Sequence, residues 1–114
     1  MYPSSTQKPW GSFTTFIKNE HATVKLIYVK QGEALSLQSH HNREEFWKVL
    51  NGNPEIVLGE EIFNAKEGDE INVLKEQKHR ISAPVNNVVI LEISKGNFDE
   101  EDIVRFEDKY NRVQ

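Results

Sequence analysis

The stretch that decides the fold runs from Gly32 to Gly52 and reads GEALSLQSHHNREEFWKVLNG. Its first half predicts a strand that ends at His40, and its second half predicts another strand over Glu45–Leu50. Side chains two apart in a strand project from one face, so Gln38 and His40 share a face. If the two strands are neighbours, an amide, an imidazole and the Glu45 carboxylate converge on one point.

Outward from this stretch, turn residues recur at roughly 8–12-residue intervals, with short runs rich in Val, Ile, Leu and aromatic residues between them. The predicted strands are Ala22–Lys30, Glu33–His40, Glu45–Leu50, Glu55–Leu58, Glu61–Ala65, Glu70–Leu74, Arg80–Ser82 and Val88–Ser94. None of these runs shows a sustained 3.6-residue period. The sequence therefore predicts an all-β sandwich or barrel.

The two ends of the chain differ from this pattern. Residues 1–7 are small and polar and are expected to form a flexible tail, which leaves 8–114 as one domain. Over Asp99–Tyr110, an N-cap residue and several acids precede Ile103, Phe106 and Tyr110 at i, i+3 and i+7. That spacing predicts a short C-terminal helix.

Composition limits the function classes. The 114 residues suffice for one domain, and the net charge of −4 disfavours a nucleic-acid or anionic-membrane surface. The absence of cysteine excludes disulfides, thiolate metal sites and cysteine nucleophiles. The longest apolar run, Val88–Leu91, is far too short for a membrane span, and the N-terminus lacks the pattern of a signal peptide. We expect a soluble, cytoplasmic protein.

The histidines become informative through their spacing, because a lone histidine in a β protein is usually structural. His79 begins a predicted strand 39 residues after His40. Together with Gln38 and Glu45, these histidines offer the nitrogen and oxygen ligands of one divalent cation. Zinc suits such a set, and so do nickel, cobalt, iron and manganese. His41 is expected to point away from this ion.

The spacing Gly32-x5-Gln38-x-His40-x4-Glu45-x6-Gly52 resembles the first motif of the cupin superfamily, G-x5-H-x-H-x4-E-x6-G. The second cupin motif is matched only at Gly68 and His79. Glutamine in place of the first histidine resembles the phosphomannose isomerases, in which a glutamine, two histidines and a glutamate hold the metal. The resemblance implies a single cupin barrel, a double-stranded β-helix or jelly roll.

Three segments resemble the type II mannose-6-phosphate isomerase cupin and extend the likeness over residues 8–112. They are KPWGSF at 8–13, LSLQSHHNREEFW at 35–47 and GNFDEEDIVRFEDKY at 96–110. Asn42, Lys48 and Glu76 depart from the family pattern. In many members this cupin follows a guanylyltransferase domain, whereas we expect this chain to stand alone and not to make GDP-mannose by itself.

The resemblance implies a metal-dependent isomerase of carbohydrate metabolism and polysaccharide biosynthesis. It would interconvert mannose 6-phosphate and fructose 6-phosphate through a cis-enediol. One alternative is a non-catalytic cupin that holds a metal and binds a phosphosugar or another small acid. Another is an isomerase or epimerase of a nucleotide-linked sugar. Comparing turnover of the free phosphosugar and its nucleotide conjugate would separate these possibilities.

The reaction also needs a proton carrier and cations for the phosphate. Glu92, a charged residue within an apolar strand, is the candidate base unless it lies on a solvent-facing pleat. Glu107 and Asp108 are alternatives to Glu92 as the base. In the tail motif, Arg105 and Glu107 complete the catalytic candidates. The phosphate-binding cations are expected among Lys8, Arg43, Arg80 and Arg105.

Two aromatic positions bear on the cavity and on assembly. Trp47 shares a face with Glu45, so it lies either in the core or in the wall of the substrate cavity. Phe46 and Leu50 place apolar side chains on the opposite face. A strand that is apolar on both faces suggests burial on both sides. We therefore expect a homodimer, in which the N-terminal strand crosses to the partner as small cupins often do.

Overall fold

The computed structural model describes residues 3–110, and the regular structure in that range is entirely β. The strands are β1 Ser4–Lys8, β2 Gly11–Thr15, β3 Ala22–Val29, β4 Leu37–Ser39, β5 Arg43–Asn51, β6 Glu55–Leu58, β7 Glu61–Asn64, β8 Glu70–Val73, β9 His79–Ser82, β10 Val88–Gly96 and β11 Val104–Glu107. The predicted all-β class is confirmed. No described helix is long and apolar enough to cross a bilayer.

Two antiparallel sheets make the body of the molecule. One has the strand order β3-β10-β5-β8 and the other β11-β4-β9-β6-β7. Apolar side chains from both sheets fill the space between them, and Trp47, Ile56, Ile81 and Ile90 are completely or almost completely buried. These residues sit at alternate positions of their strands, as a half-buried strand requires.

The two long central strands set the register of the site. In the β5–β10 pair, Glu92 lies opposite Trp47, and Ser94 lies opposite Glu45. Strand β10 ends at Gly96, whose φ of 102° falls in the left-handed region that glycine tolerates. A Cβ at this position would lie 2.7 Å from the carbonyl oxygen of Asn42, so only glycine permits this approach.

The predicted C-terminal helix is wrong. Residues 99–102 form a turn, in which the backbone N–H of Asp102 donates to the carbonyl oxygen of Asp99. The chain then enters β11 and pairs with β4 at the edge of the five-stranded sheet. Phe106 and Tyr110, assigned to the buried helix face, are 40% and 50% exposed. Pairing with the edge strand β4 therefore prevails over the helical preference of the local sequence.

The N-terminal residues form a hairpin outside the two main sheets. Strands β1 and β2 pair only with each other, and almost every residue in them is exposed. Residues 4–7, which the sequence assigns to the tail, thus lie in β1. The segment that follows the hairpin returns to the body, where the Phe16 ring lies 5.7 Å from the Phe46 ring. This contact within one chain buries Phe46, whereas Leu50 remains 44% exposed.

Candidate metal centre

Three side chains meet between the two sheets and form the candidate metal centre. Ligand atoms of His40, Glu45 and His79 all lie within 4.8 Å of one another. His40 Nε2 is 3.6 Å from Glu45 Oε2, and His79 Nε2 is 3.6 Å from Glu45 Oε1. All three residues are buried, with exposures of 3–4%. The predicted convergence of two imidazoles and a carboxylate is therefore present in the structure.

Hydrogen bonds fix the tautomer of both imidazoles. His40 Nδ1 lies 2.6 Å from the backbone oxygen of Asp102, and His79 Nδ1 lies 2.9 Å from that of Gln77. A carbonyl oxygen can only accept, so each Nδ1 bears the proton and each Nε2 carries a lone pair, which in His40 accepts from the Arg43 guanidinium. Metal-binding histidines use this arrangement, since the second ring nitrogen is held by an outer acceptor.

The Glu45 carboxylate supports the same interpretation. Its Oε1 atom is buried and has no hydrogen-bond partner among the described residues. A buried oxygen without a partner is costly, and coordination to a cation would satisfy it. The chemistry of the donors and this orphaned oxygen both fit a divalent ion. Three protein ligands of this kind leave coordination positions for a further ligand and for substrate.

Electrostatics keeps the imidazoles neutral. Burial lowers the pKa of His40 to about 4, and the nearby Arg43 and His79 add to the effect. Burial also lowers the pKa of His79. Since a metal binds the unprotonated imidazole, both rings are ready to coordinate at neutral pH.

Gln38, the fourth predicted ligand, lies directly opposite His79 in the β4–β9 pair. Cross-strand partners share a face of the sheet, so the Gln38 side chain projects toward the same interior as His79. Its Nε2 donates to the carbonyl oxygen of Ser36 at 3.4 Å. Gln38 is therefore adjacent to the cluster, and its role as a ligand stays a prediction.

Arg43 is built into the wall of the centre. Its guanidinium donates to Glu45 Oε2 and His40 Nε2, both at 3.2 Å, and to the carbonyl oxygen of Asp99 at 3.0 Å. The guanidinium also stacks on the ring of Phe98, 4.4 Å from its centroid. Arg43, which the sequence predicts as a phosphate ligand, is only 6% exposed, and its guanidinium donates to the side chains of two candidate metal ligands.

Glu92 lies in the interior and not on a solvent-facing pleat. Trp47 Nε1 donates to Glu92 Oε2 at 3.2 Å, and Ser94 Oγ donates to Oε1 at 3.4 Å. Burial, together with the negative charge of Glu45, raises the pKa of Glu92 to about 7. A carboxyl group with a pKa near neutrality can both accept and return a proton.

Trp47 joins Glu92 to the ligands. It is 1% exposed, and its ring meets the His79 ring edge-on at 5.5 Å. Trp47 is therefore a core residue, and its place in the wall of a substrate cavity stays a prediction.

Arg105 lies opposite Gln38 in the β11–β4 pair, so it shares a row with Gln38 and His79. Its Nε atom is buried and has no hydrogen-bond partner in the described chain. Arg105 is therefore the predicted cation that the fold aligns with the metal ligands while leaving a donor unused.

Other predicted site residues lie away from the centre. Arg80 alternates with His79, so it faces outward, where it donates to Leu35 O and to Glu107. Asp108 lines a surface pocket with this pair. Lys8 lies on the exposed hairpin. The structure does not bring these four residues to the cluster.

The two residues after His40 are exposed. His41 pairs with Glu76 at the surface, 3.1 Å apart, as expected for a side chain directed away from the ion. Glu76, at a position where the cupin motif has glycine, adopts a left-handed φ of 64° and donates its backbone N–H to His40 O. Asn42, a departure from the family pattern, is exposed and lies outside the cluster, so this departure does not alter the three candidate ligands.

Sequence reasoning missed two residues that shape the centre. Asp102 is 9% exposed, and its carboxylate accepts the backbone N–H groups of His41 and Asn42. Burial acts to raise the pKa of Asp102, but these hydrogen bonds prevail and the pKa is lowered. Lys25 lies opposite Glu92 in the β3–β10 pair, on the inward face. The inverted polarity of β3, with Lys25 between Val24 and Leu26, was a signal for it.

Solved structures with this architecture include the capsular polysaccharide assembling protein CapF from Staphylococcus aureus and a cupin protein from Bacteroides fragilis. CapF superposes with a TM-score of 0.67 at 22% identity, over 91% of this chain and 34% of that chain. The Bacteroides protein gives a TM-score of 0.62 at 18% identity, over 77% of this chain and 90% of that chain. At these identities the likeness shows the fold, which is that of a cupin.

Curated relatives share more of the sequence. The xanthan biosynthesis protein XanB of Xanthomonas campestris pv. campestris is 37% identical over 93% of this chain. The mannose-1-phosphate guanylyltransferase ManC of Salmonella typhimurium is 35% identical over the same share. The chain spans only 23% and 22% of the length of these two proteins. Residues 2–108 match the family described as mannose-6-phosphate isomerase C-terminal. The chain therefore belongs to the mannose-6-phosphate isomerase C-terminal family of cupins.

Proposed function

We propose that the chain is a metal-dependent isomerase that interconverts mannose 6-phosphate and fructose 6-phosphate. One observation carries this proposal: His40, Glu45 and His79 converge in the interior of the protein, beside the buried carboxyl group of Glu92. Family membership supports the substrate class, and two curated relatives are named for the biosynthesis of xanthan and for mannose-1-phosphate guanylyl transfer.

The proposed ligands are His40, Glu45 and His79, with Gln38 as a fourth and zinc as the first candidate ion. When bound, a divalent ion would supply Lewis-acid stabilisation of negative charge on the sugar oxygens. The chain contributes two neutral imidazoles and one carboxylate. Arg43 places a further positive charge beside them, which also favours an anionic intermediate.

Glu92 is the proposed proton carrier. As a carboxylate it takes the proton from C2 of the open-chain aldose while O1 takes a proton from solvent, which gives the cis-enediol. As a carboxylic acid it returns its proton to C1 while O2 gives its proton back to solvent, which gives the ketose. The hydrogen bonds from Trp47 and Ser94 hold the carboxyl in place during both transfers.

The test is an assay for fructose 6-phosphate with metal-loaded protein and mannose 6-phosphate, and with GDP-mannose as a comparison substrate. Product from the free phosphosugar alone supports the proposal. Absence of product beside an active control enzyme contradicts it, and turnover of the nucleotide conjugate alone points to a different reaction.

A second candidate is a metal-holding module that binds a phosphosugar without turnover. The observation that favours it is the enclosure of the cluster, because all three ligands are nearly inaccessible and Arg43 lies against two of them. Thermal stabilisation by mannose 6-phosphate without any product would support this candidate.

We also propose a homodimer in which the hairpin of one copy lies across the outward face of β3 in the other. An isolated two-stranded hairpin is marginally stable in water, and Trp10 on this hairpin is 73% exposed. The outward side chains of β3, Val24, Leu26 and Tyr28, form an exposed apolar stripe on an edge strand. Each surface is unfavourable alone, and a second copy would cover both.

A further inference from the structure

Strand β3 shows an inverted distribution of polarity. Its outward positions carry Val24, Leu26 and Tyr28, whereas the inward position between them carries Lys25. Lys25 lies opposite Glu92, and Glu92 lies opposite Trp47, so the three residues form one inward row. A lysine is seldom placed on the inner face of a sheet, so the surroundings of its ammonium indicate its role.

The Lys25 ammonium has a defined position without an ion-pair partner. Its Nζ atom lies 4.1 Å from the centroid of the Phe98 ring, whose other contact is the Arg43 guanidinium. Within residues 3–110, Lys25 has no carboxylate at ion-pair distance. The cation–π contact orients the ammonium, whose charge acts on the Glu92 carboxylate opposite and partly offsets its raised pKa, without a direct ion pair.

Arg105 presents the matching feature on the other sheet. It shares a row with Gln38 and His79, and its buried Nε has no acceptor. No carboxylate of the described residues lies at ion-pair distance from it either. A buried guanidinium N–H without an acceptor is an unsatisfied donor, and an anionic ligand would satisfy it.

The fold puts both cations on the same side of the interior. β3 and β11 are edge strands of the two sheets. Tyr28 and Val29 at the end of β3 line one surface pocket together with Tyr110, which follows β11. The edges of the two sheets that carry Lys25 and Arg105 are therefore adjacent.

We infer that Lys25 and Arg105 hold the phosphate of the sugar substrate at this side of the barrel. The inference rests on the proposed function for the identity of the sugar. In a hexose 6-phosphate the phosphate is at the opposite end from C1 and C2. Cations on the edge strands would hold one end while the reacting carbons face the metal ligands and Glu92. An ammonium and a guanidinium together match the charge of a phosphate dianion.

Isothermal titration of metal-loaded protein with mannose 6-phosphate and with unphosphorylated mannose tests the inference. In Lys25→Gln and in Arg105→Gln, we expect affinity for mannose 6-phosphate to fall about tenfold or more. Affinity for mannose should be unchanged in both variants. Lys66→Gln removes an exposed lysine from a distant turn and should bind both sugars as the wild type does.

The conservative variants guard against a merely structural effect. Lys25→Arg and Arg105→Lys keep the charge and should restore most of the affinity for mannose 6-phosphate, with the metal content unchanged. Equal affinity of the wild type for the two sugars would overturn the inference, and so would glutamine variants that keep wild-type affinity for the phosphosugar. Because the readout is binding, a chain that binds mannose 6-phosphate through these cations without turnover would refute the isomerase proposal alone.

Discussion

The ring of His40 donates a hydrogen bond to the backbone oxygen of Asp102, 62 residues later in the chain, over 2.6 Å. The same Asp102 accepts two backbone N–H groups from the turn that follows His40. One residue of the C-terminal segment thus fixes both the tautomer of a proposed ligand and the path of the loop that carries it.

Replacement of Asp102 should loosen the metal centre. Asp102→Ala leaves the two N–H groups without acceptors, so we expect a loss of about 1–3 kcal/mol in the free energy of unfolding. The backbone oxygen that accepts from His40 is retained, but the loop after His40 loses its anchor, so we expect metal affinity to fall about tenfold. Competition with a chelator measures the affinity. Glu100→Ala, an exposed neighbour, is the control, and an Asp102 variant that matches it in metal affinity would contradict this role.

Glu92→Gln should separate chemistry from metal binding. The amide keeps the size of the side chain but cannot carry the proton, so we expect the rate of isomerisation to fall about 10²–10⁴-fold. The metal content should remain that of the wild type, since Glu92 is not a proposed ligand. A Glu92→Gln variant with unchanged turnover would remove Glu92 from the mechanism.

The same residue predicts a pH dependence of stability in metal-free protein. The pKa of Glu92 is raised from 4.5 to about 7, so the folded chain binds more protons than the unfolded chain between these values. Protonated Glu92 therefore stabilises the folded chain at low pH, and this contribution to the free energy of unfolding is lost as the pH rises through this window. Relative to Glu92→Gln, the wild type should lose up to about 3 kcal/mol between pH 4.5 and 8. Urea unfolding at several pH values measures this, and a constant difference would contradict the raised pKa.

The proposed dimer predicts a particle with twice the 13.2 kDa mass of the chain. Leu26→Glu places a charge in the apolar stripe of β3 and should yield monomers, because a buried unpaired charge opposes association. Ile62→Glu, at an exposed position of β7, should leave the dimer intact. Light scattering at micromolar concentration measures the particle mass of the wild type and of both variants. A wild-type monomer would exclude the dimer, as would a Leu26→Glu variant that still dimerises.

The sequence predicted the strands of the body because each is a short apolar run between turn residues, and this pattern is local. β11 was missed, since its pairing with β4 depends on residues more than 60 positions away. The hairpin of β1 and β2 was missed because its Ser- and Thr-rich strands have no buried face.

Some residues of the candidate site could also be predicted from the sequence, whereas others could not. The spacing of His40 and Glu45 is a local signal, so their convergence could be predicted. The predicted route was wrong, because β4 and β5 belong to different sheets and do not pair as neighbours. The contributions of Asp102 and Lys25 arise from contacts between distant segments, which no spacing reports. Arg80 and Glu107 share motifs with site residues, but neither faces the cluster. Strand alternation turns Arg80 outward, and the register shift between Arg105 and Glu107 turns Glu107 outward.

The central claim is that one divalent ion lies among His40, Glu45 and His79, and elemental analysis of gently purified protein tests it most directly. We expect about one ion per chain in the wild type and near none in His40→Ala and His79→Ala, with His41→Ala unchanged as the matched control. A wild-type protein without a stoichiometric metal, or histidine variants that retain it, would contradict the claim.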